Sequence, residues 1–180
     1  MARMPEGWGE HSRRRLEAGM RSTVRDGMER LGREATVVGR ISTTELMDAF
    51  ELRFFLERHC ARLAARRVTA QQLDKMERVL ASVEQLGDGE LDRLMAIDRR
   101  FHRLLYAASD NEFLADILTR LYDLSVPVWG LGQSGLEDGR AWIDQHRELL
   151  IALRAGDDAE AGRLAEQHVA EFQRSLKAVL

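Results

Sequence analysis

Asp98-Arg99-Arg100-Phe101-His102 lies in the middle of Leu91 to Ser109, where Leu91, Leu94, Met95, Leu105 and Ala108 recur at helical spacing. Carried through the middle of the segment, the same stripe takes in Asp98 and His102. The face that must be buried therefore holds a carboxylate and an imidazole. Four residues turn a helix through roughly 400°, so the two side chains stand about 40° apart, one turn above the other, within reach of one object. An ionised carboxylate in an apolar seam costs several kcal/mol unless it is paired or coordinated. A cation is the best-fitting partner, and further ligands have to come from elsewhere in the chain.

The chain has 180 residues, enough for one domain with a full core and a small appendage. With 2 prolines, 6% aromatic residues and many Ala, Leu, Arg and Glu, it predicts helix almost throughout. The 44% hydrophobic and 32% charged fractions are those of an ordinary soluble protein. Cys60 is the single cysteine, which excludes an intrachain disulfide and makes a reducing compartment the default. The first residues lack the apolar run of a signal peptide, and nowhere do about 18 apolar residues follow one another. A cytoplasmic protein is expected.

The net charge of -3 hides an asymmetry: residues 1 to 40 hold nine arginines against six acids, or +3, which leaves -6 on residues 41 to 180. A basic arm on an acidic body is one footprint of a nucleic-acid contact, although an arginine-rich helix is more often a solvated face.

In order, residues 1–41 form a basic N-terminal arm: Met1 to Gly9 without fixed structure, then a short helix over His11 to Arg33 weakened by Gly19 and Gly27. The main body, residues 42–180, opens with Ser42 and Glu45 as a capping box and a helix to about Arg67. Thr69 and Gln72 repeat the device for a second helix ending near Leu86. The third is the Asp98 helix, and the fourth runs from Asn111 past Tyr122 until Pro127 bends or ends it. A glycine-rich loop, Gly130 to Gly139, leads to a fifth helix over Arg140 to Ala155. Gly156 stops it, Asp157 or Asp158 caps the sixth, and that helix runs nearly to the end. The short turns imply antiparallel neighbours, so the expected fold is all-α, an antiparallel bundle of about six helices with a short helical arm.

The last two helices supply the missing ligands. Trp142, His146, Leu149, Leu150 and Leu153 form the apolar stripe of the fifth; Ala161, Leu164, Ala165, His168, Phe172 and Leu176 form that of the sixth. His146 lies ten residues before Gly156 and His168 eleven after Asp157, so at about 1.5 Å per residue both stand roughly 15 to 17 Å from one turn. Folded as a hairpin, the two imidazoles come level. Asp98, His102, His146 and His168 then make a three-nitrogen, one-oxygen set suited to a divalent transition ion: zinc first, with nickel, iron or manganese as the other candidates. A dinuclear carboxylate centre would need Glu-x-x-His pairs, and the chain has none. His59 and Cys60 are adjacent, point in different directions and read as packing residues. His11 has no companions.

Arg53 follows Phe50 by three on the inward stripe of the first bundle helix, so its guanidinium faces the core. Two readings stand: a buried ion pair with Asp98 or a glutamate, or a bidentate fork for a carboxylate on a small molecule. An octahedral ion with four protein ligands keeps open positions that a small organic acid fits.

The pattern Asp98-x-x-Phe101-His102-x-x-Leu105, then Ala107-Ala108-Ser109-x-Asn111-x-x-Leu114, then His146 and His168 with Gly156-Asp157 between, resembles the effector-binding (FCD) domain of GntR-superfamily transcription regulators of the FadR subfamily. Glu51-Leu52-Arg53-x-x-Leu56-Glu57 is similar to that domain's first helix. The resemblance covers about residues 42 to 180. It implies a metal on the matching Asp and three His, a carboxylate effector held with the help of Arg53, and a homodimer whose effector shifts the spacing of two winged-helix heads.

In the arm, Arg21-Ser22-Thr23-Val24-Arg25-Asp26-Gly27-Met28-Glu29-Arg30-Leu31 resembles the family's recognition helix, which implies DNA contacts at Arg21, Thr23 and Arg25. A winged helix has two further helices before this segment, whereas here about 20 residues precede it, and Val37-Val38 is short for a β-wing. A truncated or degenerate DNA-reading head is the expectation. The leading function is a ligand-responsive regulator, the alternative a free-standing metal and ligand sensor or dimerisation module that does not bind DNA. Metallohydrolase chemistry is not expected, because no further carboxylate or histidine stands out as a base beside the four ligands.

Overall fold

The computed structural model describes residues 42–87, 90–132 and 136–177. The chain divides between Arg40 and Ile41 into two units, and all the described residues belong to the second. The N-terminal arm, with Arg21, Thr23, Arg25 and His11, lies outside the described residues.

Six α-helices run through its described residues: α1 Thr43–Arg67, α2 Ala70–Ala81, α3 Leu91–Ala108, α4 Glu112–Gly132, α5 Leu136–Ala155 and α6 Asp158–Lys177, with a 3-10 turn, Ser82–Gln85, after α2. No strand occurs among the described residues, and the fold is all-α. No described helix is long and apolar enough to cross a membrane.

The helix starts follow from local chemistry. The Ser42 hydroxyl accepts from the Glu45 amide at 3.1 Å, and the Glu45 carboxylate accepts from the Ser42 amide at 2.8 Å. Thr69 and Gln72 repeat the exchange at 3.3 and 2.9 Å. Asn111 Oδ1 accepts from the Leu114 amide and Asp157 Oδ1 from the Glu160 amide, so α4 and α6 each start on a side-chain cap. Between α5 and α6 the chain reverses at Gly156, whose φ of 68° suits a residue without Cβ, while the Asp157 amide donates back to the Ala152 carbonyl at 3.0 Å. This tight reversal makes α5 and α6 the hairpin that the two histidines require.

Two helix boundaries differ from expectation. The fourth helix does not end at Pro127 but continues to Gly132, and the fifth starts at Leu136 rather than Arg140, so most of the glycine-rich stretch is helical. Proline removes one ladder bond, and each glycine costs about 1 kcal/mol relative to alanine. Those local costs are small beside the burial of Leu114, Leu118 and Tyr122 on α4 and of Trp142 and Ile143 on α5.

The core runs along the axis of the bundle. One cluster joins Cys60, Ala61 and Ala64 of α1 to Met76 and Leu80 of α2, Leu94, Phe101 and Leu105 of α3, Leu118 of α4, Leu153 of α5 and Ala161 and Ala165 of α6. A second, at the other end, packs Leu46 and Phe50 against Trp142, Val169, Phe172 and Leu176. Helices α1 and α6 approach closely at Gly162, where a Cβ would lie 2.7 Å from Arg62 Cγ and 3.3 Å from the Arg58 carbonyl. Arg58 reaches Glu166 at 2.7 Å and Arg66 pairs with Asp158, tying the same two helices at their surface. Cys60 is fully buried, and burial pushes its thiol up to about 12, so it packs as a small apolar residue. His59, expected to pack as well, is exposed instead: the residue beside Cys60 on a helix points about 100° away from the core.

Candidate metal centre

Asp98 and His102 of α3, His146 of α5 and His168 of α6 meet between the two apolar clusters, each offering one ligand atom, with all four atoms within 4.8 Å of one another. All four residues are buried, Asp98 completely. His146 Nε2 stands 3.3 Å from His168 Nε2 and 3.5 Å from Asp98 Oδ1, and His102 Nε2 stands 3.9 Å from the same oxygen. Ligands about 2.0–2.1 Å from a tetrahedral ion lie about 3.4 Å from one another, so these four residues could hold a metal ion with small adjustments.

Hydrogen bonding inside the cluster leads to the same conclusion. Asp98 Oδ2 accepts from the Tyr122 hydroxyl, whereas Oδ1, equally buried, has no hydrogen-bond partner. A buried carboxylate oxygen left open in this way is costly unless a cation meets it or the group takes up a proton. Gln145 donates its amide to Glu171, so its oxygen is the acceptor for His168 Nδ1 at 2.8 Å. That bond fixes the proton of His168 on Nδ1 and leaves the Nε2 lone pair facing the cluster. His146 stacks on Phe101 with ring centroids 4.5 Å apart, and its Nδ1 has no hydrogen-bond partner.

The electrostatics are those of a site built for neutral imidazoles. Burial, then the neighbouring His168 and His102, holds His146 well below the ordinary imidazole value. Burial, then His102, holds His168 down to about 3. Burial also raises the Asp98 carboxyl, against the opposing pull of His102 and the Tyr122 hydrogen bond. Burial therefore disfavours the carboxylate charge, and a cation held by these four residues would favour it.

Beside this cluster, on α1, Arg53 is 3% exposed and gives Nε and Nη2 to Glu57 Oε1 at 3.1 and 2.7 Å and Nη1 to Ser125 Oγ at 2.9 Å. Its guanidinium also lies 5.3 Å from the Tyr122 ring centroid. Of the two readings of Arg53, the buried pair with a glutamate is present, and the partner is Glu57 rather than Asp98. Burial alone would raise the Glu57 carboxyl, but Arg53, His102 and Tyr106 more than reverse it and hold it well below the usual carboxylate range.

Glu57, Tyr106, Tyr122 and Gln145 all touch this cluster, and the sequence reading assigns none of them a place in it. For Glu57 a signal exists, because it lies four residues after Arg53 on the same inward stripe. Tyr122 and Gln145 reach the cluster through packing between helices, which no local spacing records.

Set against known proteins, residues 48–171 match the FCD domain family. The Nta operon transcriptional regulator of Aminobacter aminovorans is 30% identical over 160 residues, 81% of this chain and 73% of that protein. The HTH-type transcriptional repressor GlaR of Escherichia coli (strain K12) is 30% identical over 149 residues, 73% of this chain and 64% of the repressor, so the chain spans less than two thirds of that relative. Among solved structures, E. coli McbR/YncC superposes with a TM-score of 0.68 at 19% identity, covering 90% of this chain and 78% of the other. Streptococcus agalactiae GntR gives 0.62 at 23% identity, covering 97% and 90%. These last two likenesses concern the fold.

Proposed function

Since the chain belongs to the FCD-domain family of GntR-type transcription regulators, we propose that its bundle is the sensing half of a ligand-responsive regulator. It binds one divalent transition ion, zinc first, through Asp98, His102, His146 and His168, and a small organic carboxylate with the help of Arg53. The observation that carries this reading is the convergence of four buried ligand atoms around an Asp98 oxygen that has no hydrogen-bond partner. The ion supplies an electrophilic point for an oxygen of the acid; the chain supplies a dry, rigid setting in which two imidazoles are already neutral.

In this reading Arg53 keeps Nε and Nη2 on Glu57 and turns Nη1 from Ser125 to the incoming carboxylate, which couples the acid to α1 and α4 as well as to the metal helices. Two chains act together. Leu52 and Phe55 of α1, and Phe113, Ile117 and Leu124 of α4, are large apolar side chains between 43% and 85% exposed on two helices that pack against each other, and a second copy is the partner proposed for them. DNA is read through the arm, with Arg21, Thr23 and Arg25 as the contacts.

The test is thermal melting of the metal-loaded full chain against a panel of di- and tricarboxylates, followed by gel-shift titration with duplex DNA at two salt concentrations. An acid that raises the melting temperature only when metal is present, and only with Arg53 intact, supports the sensor. Salt-sensitive DNA binding supports the regulator, and its absence at every sequence removes the DNA half.

A further inference from the structure

Glu57 is 1% exposed, and its two oxygens do different work. Oε1 is saturated: Arg53 donates to it twice, and the Tyr106 hydroxyl donates at 2.7 Å. Oε2 is turned to His102 Nδ1, 3.5 Å away. Tyr106 oxygen also lies 3.3 Å from that nitrogen. Because the Tyr106 proton is already given to Glu57, the hydroxyl can offer His102 only a lone pair. Both neighbours of His102 Nδ1 are therefore acceptors, and a nitrogen between two acceptors carries the hydrogen. The other nitrogen, Nε2, is left with its lone pair on the side of Asp98.

We propose that Glu57, anchored by Arg53 and Tyr106, is a positioning residue for the metal centre: it holds His102 as the Nδ1–H tautomer and aims Nε2 at the point shared with Asp98, His146 and His168. This rests on the metal reading above and adds a role for α1, which contributes no ligand to the site. A carboxylate behind a ligating histidine orients the ring and strengthens its lone pair, and loss of such a partner weakens metal binding about 10- to 100-fold. Arg53 has a corresponding part. It neutralises Glu57 and fixes which oxygen faces His102, so the arginine supports the metal site whether or not an acid is bound.

The experiment is a zinc competition titration on the full chain, comparing wild type, Glu57→Gln, the double variant Arg53→Met/Glu57→Gln, and Tyr106→Phe. A second readout is the 15N imidazole signal of His102 in the metal-free protein. Glu57→Gln should bind zinc about 10- to 100-fold more weakly. The double variant, freed of the unpaired buried arginine, should melt higher than Glu57→Gln yet bind zinc as weakly, and Tyr106→Phe should fall between. In wild type the His102 signal should be that of the Nδ1–H tautomer, and in Glu57→Gln it should shift toward a mixture. Zinc affinity in Glu57→Gln within about twofold of wild type, well short of the loss expected of an outer-shell carboxylate, would overturn the proposal. So would recovery of affinity in step with melting temperature in the double variant, or an Nε2–H tautomer in wild type. A wild-type chain that binds no zinc would instead remove the metal reading, and the imidazole signal would still decide the role of Glu57.

Discussion

Two groups of buried charge lie side by side in this core and are satisfied to different degrees. Around Glu57, the oxygen on the Arg53 side receives three hydrogen bonds, and the arginine spends its remaining contact on Ser125. Around Asp98, one oxygen is held by Tyr122 and the other faces two imidazole nitrogens without a hydrogen bond. The first network is closed within the protein. The second has an acceptor that no group of the chain meets, and the proposed cation is the partner that would close it. Burial of charge is therefore not by itself a sign of a ligand site; the metal reading rests on burial with one acceptor left over.

The most severe way to break the contrast is to open the closed network. Arg53→Met leaves the Glu57 carboxylate buried without its counter-charge, and urea denaturation should show a loss of about 3–5 kcal/mol. A loss below about 1 kcal/mol, the range of an exposed pair, would mean that the pair is not the closed unit described.

Acid acts on the open network. In the metal-free chain His146 and His168 are held neutral, whereas unfolded histidine titrates near about 6.5. Because the folded values are depressed, the unfolded chain binds more protons below that pH. The stability contributed is full above about 6.5 and is lost as the pH falls toward the folded value of His168, about 3, by up to about 1.4 kcal/mol per pH unit for each histidine. Asp98, raised in the fold, works with the opposite sign from the ordinary carboxyl value of about 3.9 upward. Urea midpoints measured from pH 7 to pH 5 should fall in the metal-free protein and fall much less in His146→Phe/His168→Phe. Equal slopes in the two proteins would contradict the assignment.

The smallest effect belongs to the surface. Glu160 and Arg163 form an exposed pair at 2.6 Å, one turn apart on α6, and Glu160→Ala should leave the melting temperature within error of wild type. A larger loss in thermal denaturation would show that short distances alone measure pair strength here, and the contrast between open and closed interior networks would lose its basis.

Much of this was legible in the sequence, for identifiable reasons. The starts of α1 and α2 were readable because a capping box is a local exchange between residues three apart. The level of His146 with His168 was readable because Gly156 and Asp157 mark the turn and the rise of a helix does the rest. Asp98 and His102 stood out as polar residues on an apolar stripe. Less was readable where packing outweighs propensity, as in the glycine-rich stretch that joins α4 and α5. The outer partners of the site were harder still: Tyr122 meets Asp98 from another helix 24 positions away, and Gln145 meets His168 across the α5–α6 hairpin. Such contacts depend on crossing geometry rather than on spacing.

The most direct measurement is the transition-metal content of the full chain, purified without chelator or an affinity metal, beside Asp98→Asn prepared identically. One ion per chain in the wild type and none in Asp98→Asn, with the variant as stable as metal-free wild type, is the expected result, since the amide removes the negative charge proposed to bind the ion. A wild type that carries no metal and takes up no zinc, or an Asp98→Asn chain that binds zinc equally well, would contradict it.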